Sequence, residues 1–273
     1  MTTILSNRVQ KIKPSATMAV SDKAKQLKAQ GVKIVSMGSG EPDFDTPINI
    51  QKAANQAIAA GETRYTAVDG TPQLKKAICE KFKRENGLNY SVNEVRVSSG
   101  GKQVFYNLCQ AILSKGDEVV IPKPYWVSYP DIAILADAKP VFIDAGLDQE
   151  FKITPEQLES SINANTKLFV LNSPSNPTGA VYTKSEIEGL GAVLERHPHV
   201  FIISDDIYEH IRWKDDAFVN IAMACPKLKE RTIILNGVSK AYAMTGWRIC
   251  LLYTYDDADD TPSVDLGGRR IIK

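Results

Sequence analysis

The sequence predicts an α/β protein, a three-layer sandwich built on a mostly parallel sheet. Three observations lead there. From residue 94 onward, strand-like and helix-like stretches alternate, the order that places helices on both faces of a sheet. The strand-like stretches are short apolar runs such as Leu168-Phe169-Val170-Leu171 and Thr232-Ile233-Ile234-Leu235, which is how strands covered on both faces read. The residues best suited to chemistry lie just past the ends of those runs, at the edge where open α/β sheets bind ligands.

Residues 1–30 are polar with a helical pattern, and Lys23, Lys25 and Lys28 mark a solvated face. A short strand is expected at Lys33-Ile34-Val35-Ser36-Met37, running into Gly38-Ser39-Gly40-Glu41-Pro42-Asp43-Phe44. Two glycines and a proline force an irregular loop there, either a plain turn or a place where backbone approaches a ligand. An Ala-rich helix follows at 47–60. The polar loop Arg64–Pro72 leaves Tyr65 exposed, facing a ligand or a second subunit. The next helix, Pro72 to about Glu85, has proline in its first turn, where no N–H is needed. Strands at Val95–Ser99, Asp117–Pro122, Pro140–Asp144, Leu168–Leu171, Val200–Ile203 and Thr232–Leu235 then alternate with helices at 103–113, 155–162 and 184–196. Leu251–Tyr253 has the composition of one more strand.

Composition narrows the function classes. With 273 residues the chain has room for one large domain or two smaller ones. A net charge of +1 gives no reason to expect nucleic acid or a membrane surface as partner. Cys79, Cys109, Cys225 and Cys250 are scattered without a CxxC pair, so neither a zinc site nor a disulfide framework is indicated. His197 and His199 flank Pro198, which is not the spacing of a helical metal pair, and no metal is expected. With no signal-like start and no apolar run of spanning length, the expectation is a reduced, cytoplasmic protein.

The chemistry-bearing residues cluster at strand ends. Ser239-Lys240 follows the strand Thr232–Leu235. A lysine there is either an ordinary surface residue or a nucleophile toward carbonyls, activated by partial burial or a nearby cation. Arg248 is that cation or a fork for a phosphate. Gly100-Gly101-Lys102 opens a helix after the strand Val95–Ser99, where backbone N–H groups and the helix dipole favour an anion. It is neither GxGxxG nor a P-loop, so a smaller phosphorylated cofactor is left open. Trp126 stacks on a flat ring or packs in the core. Asn176 lies in a rigid polar loop, Asn172–Gly179. Asp205, with Tyr208 close behind, ends an apolar strand; a buried carboxylate needs a partner, usually a cation. Pyridoxal phosphate calls for this set: a lysine for its aldehyde, a carboxylate for its ring nitrogen, an aromatic for its face and donors for its phosphate.

Six separated motifs carry a resemblance: Gly40-Glu41-Pro42-Asp43-Phe44, Ser99-Gly100-Gly101-Lys102, Pro124-Tyr125-Trp126, Asn172 to Gly179, Ser204 to Tyr208, and Ser239-Lys240 through Gly246-Trp247-Arg248. On these, from residue 1 to about 250, the chain resembles the class I, fold-type I aminotransferases, and among them the bacterial aspartate aminotransferase subgroup. The resemblance implies pyridoxal 5'-phosphate as cofactor, amino acids and 2-oxo acids as substrates, and a homodimer. It implies that Lys240 bonds the cofactor and moves the α-proton. Asp205 pairs with the ring nitrogen, Tyr208 and Asn176 reach the ring oxygen, and Trp126 stacks on the ring. Gly100, Gly101, Lys102, Ser239 and Arg248 hold the phosphate, and Tyr65 reaches the phosphate of the neighbouring subunit. Gly40, Trp126 and Asn176 touch substrate, and Lys102 attracts a side-chain carboxylate, which favours aspartate with 2-oxoglutarate. Ser15 and Thr17 match positions near that carboxylate. Asp206 stands where the family usually has glutamate. Prephenate or aromatic amino acids, or carbon–sulfur lysis, are alternatives on the same site. A fragment that binds cofactor or dimerises without catalysis is an alternative of another kind.

Relatives of this type continue after Arg248 into a small C-terminal domain, whereas here an acidic run, Asp256 to Asp260, leads to an unfamiliar stretch ending at Lys273. The expected division is 1–48 as a segment that packs on that small domain, 49–255 as the cofactor-binding large domain, and 256–273 as a divergent, disordered tail. A truncated or frame-shifted product is expected, with the arginine that clamps the substrate α-carboxylate missing and transamination impaired. The alternative is a genuine short relative with a novel tail.

Overall fold

A computed structural model of the protein describes residues 4–12, 14, 16–35, 38, 40–213 and 217–253. At its centre is a seven-stranded sheet in the order β1-β7-β6-β5-β4-β2-β3. The strands are β1 (Val95–Ser98), β2 (Glu118–Lys123), β3 (Lys139–Asp144), β4 (Thr166–Asn172), β5 (Phe201–Asp205), β6 (Thr232–Gly237) and β7 (Cys250–Tyr253). β3, β2, β4, β5 and β6 pair in parallel, and β7 runs against both β1 and β6.

The α-helices among the described residues are α1 (Asn7–Gln10), α2 (Ala16–Ala29), α3 (Ile48–Ala59), α4 (Pro72–Asn86), α5 (Gly101–Ile112), α6 (Ser128–Leu135), α7 (Pro155–Ser161), α8 (Lys184–Arg196) and α9 (Ile221–Ala224). The alternation of side chains along a strand divides the core into two layers. Val119 and Ile121 of β2, with Leu168 and Val170 of β4, pack under Phe105, Leu108, Ile132 and Ala133 of α5 and α6. Val120, Phe169 and Leu171 point the other way, against Leu158, Ile187, Leu190 and Leu194 of α7 and α8. Burying one such leucine contributes roughly 2 kcal/mol, and both layers hold many of them. Helix starts follow local rules: Thr154 and Thr183 form capping boxes with Gln157 and Glu186. No helix of the described residues is long and apolar enough to cross a membrane.

Two expectations need correction. Lys33–Val35 forms no strand. Val35 is 85% exposed, and no strand lies beside it among the described residues, so its backbone has no ladder to join. Helix α6 was not expected. Ser128–Leu135 contains Pro130 and isoleucines, yet Pro130 sits in the first turn, where no intrahelical N–H is lost. The tail 256–273, Ser15, Ser36 and Met37 lie outside the described residues, as does the side chain of Thr17.

Candidate active site

The carboxyl ends of the central strands surround a cavity of about 270 Å³, and nine of the residues proposed from sequence line it: Gly101, Lys102, Trp126, Asn176, Asp205, Tyr208, Ser239, Lys240 and Arg248. They arrive from five segments, at or just past the ends of β1, β2, β4, β5 and β6. Chain topology therefore brings together residues that sequence separates by up to 147 positions, from Gly101 to Arg248.

One end of the cavity is acidic. Asp205 closes β5, is 4% exposed, and receives the Tyr129 hydroxyl on Oδ2 and the Ile207 N–H on Oδ1 at 3.3 Å. Its expected cation is not among these partners; a phenol holds it instead. Burial raises its pKa to about 6, while the Tyr129 and Ile207 hydrogen bonds pull it back down. Asn172 fixes the surroundings: Nδ2 donates to the Asp205 carbonyl at 2.9 Å, and Oδ1 accepts from the Asn176 N–H at 2.8 Å. Asn176 in turn hydrogen-bonds Tyr208, whose phenol is pushed up by burial and then by the Asp205 charge. Asp206 points away from the cavity, where Ser204 Oγ and Asn220 Nδ2 donate to it at 2.6 and 2.7 Å.

The other end is cationic. Arg248 sits at φ 60°, donates to the Thr245 carbonyl at 3.0 Å and the Ser99 carbonyl at 3.4 Å, and lies over Gly100. A Cβ on Gly100 would meet Arg248 Nη2 at 1.8 Å, and Gly100 has φ +92°, a conformation that glycine tolerates and alanine resists. Gly101 and Lys102 begin α5, where N–H groups have no acceptor within the helix. Ser239 is buried beside Cys250, 3.8 Å from its sulfur.

Lys240 stands between the two ends. It is half-buried, with Tyr208's ring 5.8 Å from Nζ, and Nζ donates to the Gly40 carbonyl at 2.5 Å. Burial lowers its pKa, Glu41 and Cys250 oppose this, and Arg248 adds to it. Burial is thus the chief cause, ahead of the neighbouring cation. Trp126 walls one side, and Lys102 Nζ lies 5.5 Å from its ring centre.

Gly100 and Gly40 touch site residues without lining the cavity, and Tyr65 stands away from it, fully exposed. Five lining residues were given no role from sequence: Tyr129, Asn172, Ile207, Leu235 and Cys250. Elsewhere, Glu85, Glu209 and His210 have metal-like spacing. Lys81 already places its ammonium against both carboxylates, so no metal is called for there.

The donor set defines the class of site: an amine poised for a carbonyl, a buried carboxylate, an aromatic wall, and a guanidinium with a helix start for a phosphate. That is the fit for pyridoxal phosphate, and the close approach of Arg248 to Gly100 leaves the anion end unobstructed by a side chain. Comparison with known proteins agrees. The family model for aminotransferase class I and II matches residues 32–264, and the chain belongs to that family, whose class I members use pyridoxal 5'-phosphate. It is 60% identical over 245 residues to an aspartate/prephenate aminotransferase of Nitrosomonas europaea, covering 90% of this chain and 62% of the relative. One from Cereibacter sphaeroides is 57% identical, with 90% and 61% covered. Among solved structures, the aspartate aminotransferase of Rhizobium meliloti superposes with a TM-score of 0.90 at 48% identity, covering 93% of this chain and 63% of that one. The Thermus thermophilus aspartate aminotransferase with maleate gives 0.87 at 45%, with 92% and 64% covered. The chain thus spans about three fifths of the length of the relatives it matches.

Proposed function

We propose that this chain holds pyridoxal 5'-phosphate in the cavity and transaminates acidic amino acids, aspartate with 2-oxoglutarate, with prephenate as a further acceptor. The observation that carries the reading is the half-buried Lys240 between the Asp205 end and the Arg248 end. When bound, the cofactor supplies an electron sink for the bond broken at the amino acid's α-carbon. Lys240, whose pKa burial lowers, would form the covalent link and move the α-proton. Asp205 would hold the ring nitrogen, Asn176 with Tyr208 would hold the ring oxygen, and Trp126 would cover the ring. The N–H groups at the start of α5, Ser239 and Arg248 receive the phosphate. Gly40 and Asn176 face the substrate. Tyr65, exposed on its loop, reaches the phosphate site of a second copy, which makes a homodimer the working unit.

Among the described residues, the cations lining the cavity are Lys102, Lys240 and Arg248. With Lys240 engaged in chemistry and Arg248 on the phosphate, Lys102 alone is left for a substrate with two or more carboxylates. This supports an acidic substrate, and it also supports slow turnover by this polypeptide by itself. The relatives named for aspartate and prephenate support aspartate as the amino donor and prephenate as an acceptor.

The test is borohydride reduction of the chain mixed with pyridoxal 5'-phosphate, followed by peptide mapping. The pyridoxyl group should appear on Lys240 and vanish in Lys240→Ala. Turnover with aspartate, measured beside the Nitrosomonas europaea relative, should be lower by on the order of 10², since the described residues offer no second substrate clamp. A label on another lysine, or none, would sink the assignment.

A further inference from the structure

Resting on the cofactor reading above, we infer that Tyr129 is a positioning residue, whose hydroxyl holds the Asp205 carboxylate in place and ionised and whose ring is seated against Trp126. Tyr129 lies in the first turn of α6, is 1% exposed, and donates its O–H to Asp205 Oδ2. Its ring meets Trp126 edge-on, with centroids 5.2 Å apart and planes at 86°. Phe105 of α5 closes the far side at 5.0 Å and 67°. The Tyr129 N–H donates to the Trp126 carbonyl at 3.0 Å, so one turn of backbone fixes the two rings relative to each other. The hydroxyl therefore cannot swing off Asp205 without displacing Phe105 or Trp126. One side chain ties the wall for the cofactor's ring face to the carboxylate for its ring nitrogen.

The chemistry favours a donor of this kind. Burial first, and then the Asp205 charge, push the Tyr129 phenol well above its ordinary value, so it stays protonated and always donates. A donated hydrogen bond stabilises the ionised carboxylate over the neutral acid. The other titratable groups acting on this pair are Tyr208 and Asp206 from the turn after β5 and Cys250 from β7. None of these is a cation, so the hydroxyl and the Ile207 N–H carry the stabilisation of the charge.

The test reads Asp205 directly, in the chain without cofactor. Its carboxyl carbon, assigned by its loss in Asp205→Asn, is titrated by NMR. Tyr129→Phe keeps the ring and removes the O–H. Its Asp205 midpoint should rise by about one unit, the effect of one hydrogen bond to a charged group. Tyr182→Phe serves as control, because Tyr182 is another buried tyrosine, whose hydroxyl accepts the Ile153 N–H at 2.8 Å. It should leave the midpoint where it is. With pyridoxal 5'-phosphate added, Tyr129→Phe should bind about tenfold more weakly, and Tyr182→Phe as wild type does. An Asp205 midpoint unmoved by Tyr129→Phe, or moved equally by Tyr182→Phe, overturns the inference. Should the wild-type chain take up no cofactor, the cofactor reading fails, while the Asp205 titration still decides the role of Tyr129.

Discussion

The cavity edge of the sheet and the N-terminal helices break the usual order of burial in opposite ways. At the edge, Asp205, Asp206, Ser239 and Asn236 are buried polar residues. In the N-terminal stretch, α1 and α3 bury nothing, and Val35, Phe44, Ile48, Ile58 and Val68 are exposed apolar residues. By pattern α3 resembles α5 or α8, with apolar residues at helical spacing, but α5 buries four residues and α8 five. Burial is conferred by neighbours, and among the described residues Ile48 and Ile58 of α3 have too few to be covered. The lesson is that residues out of place for folding are informative about binding. A buried carboxylate costs stability by itself, and exposed apolar area does nothing for the single chain.

The largest expected effect breaks the comparison at its buried side. In the chain without cofactor, Asp205 has a folded pKa of about 6 against an ordinary 3.8. A raised folded value means that the neutral acid stabilises the fold below about pH 4, and that this contribution is lost as pH rises to about 6. Asp205→Asn should therefore stabilise the cofactor-free chain by up to about 3 kcal/mol above pH 6 and change little near pH 4, read by urea unfolding at both values. A destabilised variant at pH 8 would show that the charge is better satisfied than its burial implies. Next comes Gly100→Ala, which places a methyl against Arg248 at a φ that alanine resists. It should cost about 1–3 kcal/mol of stability and weaken pyridoxal 5'-phosphate binding roughly tenfold, measured by absorbance titration. The smallest effect sharpens the exposed side: Ile58→Ser on α3 should shift the unfolding free energy of the isolated chain by no more than about 0.5 kcal/mol. A larger loss would mean that α3 is covered in solution.

Much of the fold was legible because it depends on short-range pattern. Apolar runs marked six of the seven strands, and the composition of Leu251–Tyr253 pointed to β7. Proline in the first turn marked α4. The run Lys33–Val35 misled because strand composition is a preference that only a pairing partner realises. Of the site, the residues on strand ends were legible, since topology sends every parallel strand to the same edge. Asn172 and Tyr129 were not, because their roles are pairwise and distant: Tyr129 meets Asp205 across 76 positions. Nothing local says which acid a tyrosine will face. Lys240 was readable as a nucleophile, but the Gly40 carbonyl that receives its ammonium lies 200 positions away.

The sheet order has a consequence for how the molecule is made. β1 is paired through β7 alone, Val95 with Tyr253, and β7 also closes the sheet on β6. During synthesis the five strands β2 to β6 can zip together as they emerge, but β1 has no bonding edge until β7 is released from the ribosome. α4, which packs on β1 through Ile78 and Phe82 against Val95 and Leu251, waits with it. Such long-range closure is slow compared with local pairing, and it leaves apolar strand surface open in the meantime. The nascent chain therefore carries its first strand as an unpaired edge until Cys250–Tyr253 has followed it, and that interval is when a chaperone would have most to hold.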